Sequence, residues 1–401
     1  MKILTKTFLL ICLAVSAQAL PAQAAEVPDV VRVFLNAYKI YWQAEPNYDS
    51  ISEDSGNIVI NNFSIVKPAS SNQSGMRMTV DKIVFGGISN KGNGLYEIGQ
   101  VSASGSKIEM KGADGSDFTV EVPESSAQAL YMQDPGENPA PEAAFRAAMT
   151  LARKMSSGPM TLTTMGYTLT SDGYQTTWDG DPKTGAGNFT FKFTNVVIPE
   201  SAMAMIDSTG TLKQLGYSGL VFDLESDGKL DVGVDKLGLD LNLAYIGKDM
   251  GALRFSLGAA DIPVSVLSEF QNASASGKEP DFTALMPELQ NVSFSGFTFR
   301  FEDNSITKKV LPIAAAMQGM DEATMVASTA AMLQIGLMQL KNQAFTDQVV
   351  GAVNRFLKDP QSLTLAIKPA APLKVQELMM LNPAAPGEAI DKLGVSVSAN
   401  D

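Results

Sequence analysis

The chain has 401 residues, 43 of them acidic against 30 basic, a formal charge of −13, no histidine and a single cysteine, Cys12. These counts exclude a Ser-His-Asp triad, histidine ligands for zinc or haem, and any intramolecular disulfide. The acidic balance argues against nucleic acid and anionic membrane surfaces, which recruit clustered Lys and Arg.

Residues 1–24 have the three parts of a secretory signal. Lys2 and Lys6 supply the positive start, Thr7 to Ala17 a short apolar core, and Ala22-Gln23-Ala24 a small-residue cleavage site, with Ala17-Gln18-Ala19 as the second choice. That core is too short to anchor in a bilayer. Cys12 follows the bulky Ile11 and lies inside the discarded peptide, so a lipid anchor there is the disfavoured reading. Cleavage removes two lysines and no acid, leaving a cysteine-free chain with a charge of −15. The expected location is the periplasm, where such a chain relies on its core and not on disulfides.

The mature protein is expected to open with a helix capped by Asp29, with Val31, Phe34, Leu35, Tyr38, Tyr41 and Trp42 on one core-facing side. From Asn57 to Val122 the pattern becomes β: Ile58 and Ile60, then Met76, Met78 and Val80, then Ile108 and Met110, then Phe118, Val120 and Val122 alternate with polar neighbours. Asn93-Gly94 and Asp114-Gly115 are hairpin turns. Gln133 to Pro141 is a Pro/Gly-rich break, and a helix carrying Ala143, Phe145, Met149, Leu151 and Ala152 is expected after it, ending near Gly158.

A second β region follows, with turns at Asp172-Gly173, Asp179-Gly180 and Asp227-Gly228 and clean alternation at Phe189, Phe191 and Phe193. The sets Leu230/Val232/Val234 and Leu237/Leu239/Leu241/Leu243/Tyr245 differ in phase, which predicts a bulge or bend between them. Val292/Phe294 and Phe297/Phe299/Phe301 slip the same way at Gly296. The C-terminal third reads as helices over 307–318, 322–342 and 345–358, a strand over Ser362–Ile367, a proline-rich tail and a last strand at Val395–Val397. Ala323 to Leu340 carries no charge, and its Thr324, Ser328, Thr329, Gln334 and Gln339 make a buried helix the better reading than a bilayer span.

The resulting expectation is an α+β fold: curved antiparallel sheet of long meandering strands packed with helices. It is divided into residues 25–140, 141–305 and a helical 306–401 after the signal peptide. Two rounds of helix and β meander allow two similar halves related by duplication.

Few residues suggest chemistry. Asp223, Glu225, Asp227, Gly228 and Asp231 resemble the start of a calcium loop, but the twelfth position is Val234 and the surroundings are strands, so a solvent-facing hairpin is the better reading. Asp114, Asp117, Asp179 and Asp181 beside turn glycines are read the same way. A carboxylate pair for glycoside hydrolysis has no local mark. Trp42 sits on a core face and Trp178 in a turn-rich segment, so neither offers a sugar platform. No Ser-x-x-Lys opens a helix. No catalytic, cofactor-binding or metal residue is therefore assigned, and no cofactor is expected. Met317, Met320, Met325, Met332, Met338, Met379 and Met380 either fill a core or line an adaptable apolar groove; core filling is the ordinary reading.

Phe299 to Ile306 (FRFEDNSI), Phe356 to Thr364 (FLKDPQSLT), Pro369 and Pro372 resemble the C-terminal region of an exported Gram-negative family of unknown function, over about the last 110 residues. The resemblance implies a return to the sheet after Pro360 and brings no catalytic residue. At the level of fold alone, the β pattern is similar to that of envelope proteins that carry lipids in a β groove. The expected function is a non-enzymatic cell-envelope protein binding an apolar, lipid-like ligand or a partner protein, with no membrane segment after signal cleavage. The alternatives are a carboxylate-dependent hydrolase of envelope polymers and a purely structural interaction module.

Overall fold

The computed structural model describes residues 27–42, 44–68, 75–111, 117–136, 151–233, 235–266, 269, 273 and 281–401. The signal-type segment with Cys12, the Asp114-Gly115 turn, the stretch Ala143–Met149 and Val234 lie outside these residues. The protein is α+β with extensive antiparallel pairing, and its backbone separates into two units described in turn.

The first unit opens with helix α1 (Asp29–Trp42). As the 3.6-residue spacing requires, Val30, Val31, Val33, Phe34 and Trp42 are buried. Strands β1 (Ser50–Asp54), β2 (Asn57–Lys67), β3 (Gly75–Gly92), β4 (Leu95–Lys111) and β5 (Asp117–Gln133) follow as an antiparallel meander. The β3–β4 turn is Asn93-Gly94, both at positive φ (54° and 74°). Phe34 reaches the sheet, its ring 5.3 Å from that of Phe63 and 5.1 Å from that of Phe85, both fully buried.

Pro123 stands inside β5, where a missing N–H would break the ladder. The ladder steps past it: Ser104 pairs with Glu124 and Ser106 with Val122, and the next strands likewise skip Gly105, Asp81 and Asn62. The pairing is thus interrupted in a row across four strands with the register unchanged on either side; Asn62 and Gly105 take positive φ there (49° and 64°), and burial changes phase across the break, so that both Ile60 and Phe63 are buried.

The second half of β5 pairs with β6 (Leu151–Ser157) and its first half with β7 (Met160–Thr164). Strands β8 (Tyr167–Ser171), β9 (Gly173–Gly180) and β10 (Gly187–Ile198) complete this unit's pairing. Leu151 and Ala152, expected in a helix, are in β6 instead; pairing with Tyr131 and Leu130 outweighs their helix propensity. Trp178, in the turn-rich segment, lies near the end of β9, 8% exposed, with Arg153 lying 5.0 Å over its ring.

In the second unit β11 (Leu220–Val232) and β12 (Lys236–Gly247) are separate strands, so the phase change expected between Val234 and Leu237 falls where one strand has ended and the next begins. Asp227-Gly228 is no hairpin tip either; it lies inside β11, and the Asp227 carboxylate accepts a 2.8 Å hydrogen bond from Asn242 on β12. β13 (Gly251–Pro263), β14 (Ser293–Asp303), β15 (Ser362–Ile367) and β17 (Val395–Ala399) extend the antiparallel order, with the short β16 (Leu373–Lys374) pairing the start of β14. The slip expected at Gly296 is a bulge at Ser295, where Gly258 pairs with Gly296 and Ala259 with Phe294.

Between β14 and β15 run α2 (Ile306–Met317), α3 (Glu322–Leu337) and α4 (Gln343–Lys358). α4 docks by Thr346, Val349, Ala352 and Phe356, its buried face at i, i+3 and i+4 steps. The tail between β15 and β17 also holds helices at Val375–Met379 and Pro386–Leu393. The reading of Ala323–Leu340 as buried fails: the segment Glu322–Leu340 has a mean hydropathy of 1.3 over its most apolar window, yet only 6% of that window is buried. By length and composition alone it is long and apolar enough to cross a membrane. Val326 is its one buried residue, so it packs at an edge and is not enclosed.

Candidate ligand-binding face

Register decides which side chains of the second sheet share a face. Tyr245 pairs with Leu253, Leu253 with Phe301, Phe301 with Leu363 and Leu363 with Ala399. The next apolar row runs Leu243, Phe255, Phe299, Leu365, Val397, and the next Leu241, Leu257, Phe297, Ile367, Val395. Leu239, Ala259 and Phe294 begin a fourth. Because side chains alternate in a strand, one face is apolar across five strands.

The other face is polar. Arg254 and Arg300 stand directly opposite one another, an unfavourable pairing of like charges. Glu302 resolves it, taking Nε of Arg254 at 2.9 Å and Nε of Arg300 at 3.0 Å. Burial alone would raise the Glu302 carboxyl, but the two guanidiniums overcome this and hold it below the usual carboxylate range. Arg300 also reaches Thr364 and the Asp401 carboxylate, at 2.9 and 2.8 Å.

Cover on the apolar face is uneven. Over β15 and β17, α4 closes it: Phe356 meets the Phe301 ring at 5.9 Å, and Ala352 and Ala399 are buried with it. Over β12 and β13 the face stays open. Tyr245 is 36% exposed, Leu253 and Leu257 each 39%, and Leu241, Leu243, Phe255, Phe297 and Phe299 are only half-buried. Partial burial pushes the Tyr245 phenol above its usual pKa, so it remains a neutral hydroxyl on an otherwise apolar surface. From Leu239 to Tyr245 the opening runs about 20 Å at a rise of about 3.4 Å per residue, and three strands make it about 10 Å wide.

The residues weighed for other chemistry are scattered. Asp223, Glu225, Asp227 and Asp231 lie at even spacing along one face of β11, strung out along an extended strand at about 6.8 Å for every two residues rather than wrapped around an ion as a loop would hold them. Among the described residues no group of three carboxylate, Cys or His side chains is arranged to hold a metal. Trp42 is buried on α1. In the first unit a cavity of about 480 Å³ is lined by hydroxyls, including Ser102, Ser126 and Ser156, with Lys82 and one carboxylate, Glu124. A carboxylate-pair hydrolase needs a second acid there.

The methionines divide. Met317, Met332, Met338, Met379 and Met380 are 58–83% exposed, so core filling does not account for them. The open face was half legible: the β12 and β14 alternations mark it. The matching run Leu253, Phe255, Leu257 on β13 carries the same period-two signal and completes it.

The fold and this face define an α+β protein with a one-sided, partly uncovered antiparallel sheet. A family model described as an uncharacterized protein matches residues 244–400, from the middle of β12 to the end of β17. The match contains the FRFEDNSI and FLKDPQSLT segments and most of the open face. No curated protein matches the chain.

Proposed function

We propose that this is an exported, non-enzymatic protein of the bacterial envelope that binds an apolar, acyl-type ligand on the open face of β12, β13 and β14. The observation that carries the reading is the exposure of Tyr245, Leu253 and Leu257 within a continuous apolar surface. Leaving such a surface in water costs about 25 cal/mol per Å², a cost that an acyl chain removes. The bulges at Leu237/Leu239 and at Ser295 support a curved sheet, which shapes the face into a trough. Residues 1–24 support export to the periplasm. The polar Thr324, Ser328, Thr329, Gln334 and Gln339 support α3 as a surface helix and not a bilayer span.

Native mass spectrometry of gently purified protein tests the reading. It requires co-purified lipid, or stoichiometric uptake of added lipid, and loss of both in Leu257→Asp. Absence of lipid in both experiments refutes it. The exposed Met332, Ile335 and Met338 on and after α3 favour a second reading, a partner-binding module, which crosslinking in intact cells would report as a defined protein adduct.

A further inference from the structure

The two ends of the open face differ in charge. At one end, Lys236 forms an ion pair with Asp261 at 3.4 Å, and Asp261 also accepts from Ser293; the Ser293 hydroxyl first, then Lys236, hold its carboxyl below the ordinary range. Lys374, opposite Ser293, acts more weakly on the same carboxylate, so the lysine charge at this end is directed at an acid.

The opposite end is the β12–β13 turn, two residues beyond Tyr245. The turn is clasped to the start of α2: the N–H groups of Asn304, Ser305 and Ile306 all point to the Met250 carbonyl, at 3.1–3.3 Å. The Tyr217 hydroxyl donates to the Asp249 carbonyl at 2.9 Å, and Lys309 Nζ lies 3.9 Å over the Tyr217 ring. Lys248 in the turn, and Lys308 and Lys309 in the first turn of α2, flank this clasp. Among the described residues, neither Lys248 nor Lys308 has an ion-pair partner. The nearby acids are Asp249, in the turn itself, Glu302, already paired with Arg254 and Arg300, and Asp303, whose carboxylate accepts from the Thr307 N–H at 2.8 Å, so the three lysines outnumber the two acids not paired with arginine. The first turn of α2 adds the partial positive charge of a helix N-terminus.

Resting on the reading of the open face, we infer that the ligand is a single anionic phospholipid, its phosphate at Lys248, Lys308 and Lys309 and its two acyl chains along β12, β13 and β14. The dimensions favour two chains. Neighbouring strands lie about 4.8 Å apart, so three exposed strands offer two parallel furrows about 20 Å long. The charge favours phosphate, since lysine ammonium groups bind it as point charges. The chain's overall acidity does not oppose this. At physiological ionic strength charges beyond about 8 Å are screened, so the local lysines set the field that a head group meets.

The test uses the full mature chain, delipidated, with phosphatidylglycerol and phosphatidylcholine of identical chains, and oleate, each read by native mass spectrometry and by displacement of a fluorescent fatty probe. The expected result is a one-to-one complex with phosphatidylglycerol. It forms about tenfold more tightly than the phosphatidylcholine complex, with a preference that falls as salt rises and is lost in Lys248→Gln/Lys308→Gln. Leu257→Asp is expected to lose both phospholipids. Equal binding of the two phospholipids, or tight binding of oleate alone, overturns the head-group assignment and leaves the apolar face standing. Binding to neither phospholipid nor oleate overturns both. Association only with phosphatidylglycerol vesicles, without a one-to-one complex, overturns it in favour of surface docking.

Discussion

Two substitutions on the same sheet face measure how far it is open. Phe356 reaches the face from α4 and is 6% exposed, packed with Phe301, Leu363, Val397 and Ala399. Truncating a buried Phe to Ala costs about 3–5 kcal/mol through lost transfer energy and the cavity left behind. The Phe301 contact is part of that loss. Leu257 lies on the same face but is 39% exposed. Its truncation opens no closed cavity and removes only part of the about 2 kcal/mol that full burial of a Leu is worth, so about 1 kcal/mol is expected. Urea unfolding of Phe356→Ala and Leu257→Ala, with unchanged m-values, gives both numbers directly. Adding a hydrophobic dye reports the same contrast: Phe356→Ala frees α4 and raises dye binding, whereas Leu257→Ala lowers it. A Leu257→Ala cost equal to that of Phe356→Ala would show that the face over β13 is closed, and the ligand-face argument would fail with it.

Three further outcomes follow from the same structure. Glu302 has its carboxyl pKa depressed in the folded state, so its contribution to stability is complete above the ordinary carboxylate range and is lost as pH falls through the folded value; thermal unfolding from pH 7 to pH 3 should be steeper for the native protein than for Arg300→Ala, and parallel curves would contradict the pairing. Gly173 sits at φ 116°, where a Cβ would lie 2.5 Å from the backbone oxygens of both Ser157 and Gly158, so Gly173→Ala should cost more than about 2 kcal/mol in chemical denaturation, and a neutral result would refute this turn geometry. Asn342 caps α4, its side-chain oxygen accepting from Phe345 N–H at 3.0 Å while its amide donates to Asp391, so Asn342→Ala should cost about 1 kcal/mol and speed hydrogen exchange in the first turn of α4, with unchanged exchange counting against the cap.

Local signals determined much of this protein. The periodicity of Val31, Phe34 and Trp42 sufficed for α1, because a helix that buries one stripe must repeat it every third or fourth residue. Alternation sufficed for β2 to β5, β10, β12 and β14, and Asn93-Gly94 for a turn that needs positive φ. The segments that misled were those whose neighbours in space decide the outcome. Leu151 and Ala152 have helix-compatible chemistry and become strand because β5 offers a pairing edge. Asp227-Gly228 reads as a turn and runs straight through because Asn242 holds Asp227 to the adjacent strand. Ala323–Leu340 reads as core, yet burial depends on what packs around it, and α2 and α4 cover little beyond Val326. The sequence by itself also determined the absence of histidine chemistry and of an intramolecular disulfide, and the apolar phase of most long strands. Only the tertiary structure decided that Tyr245, Leu253, Phe301 and Leu363 stand in one row, because register is a relation between strands. It alone decided that α4 covers one end of that row and leaves the other uncovered, because where a helix docks depends on the whole surface it meets.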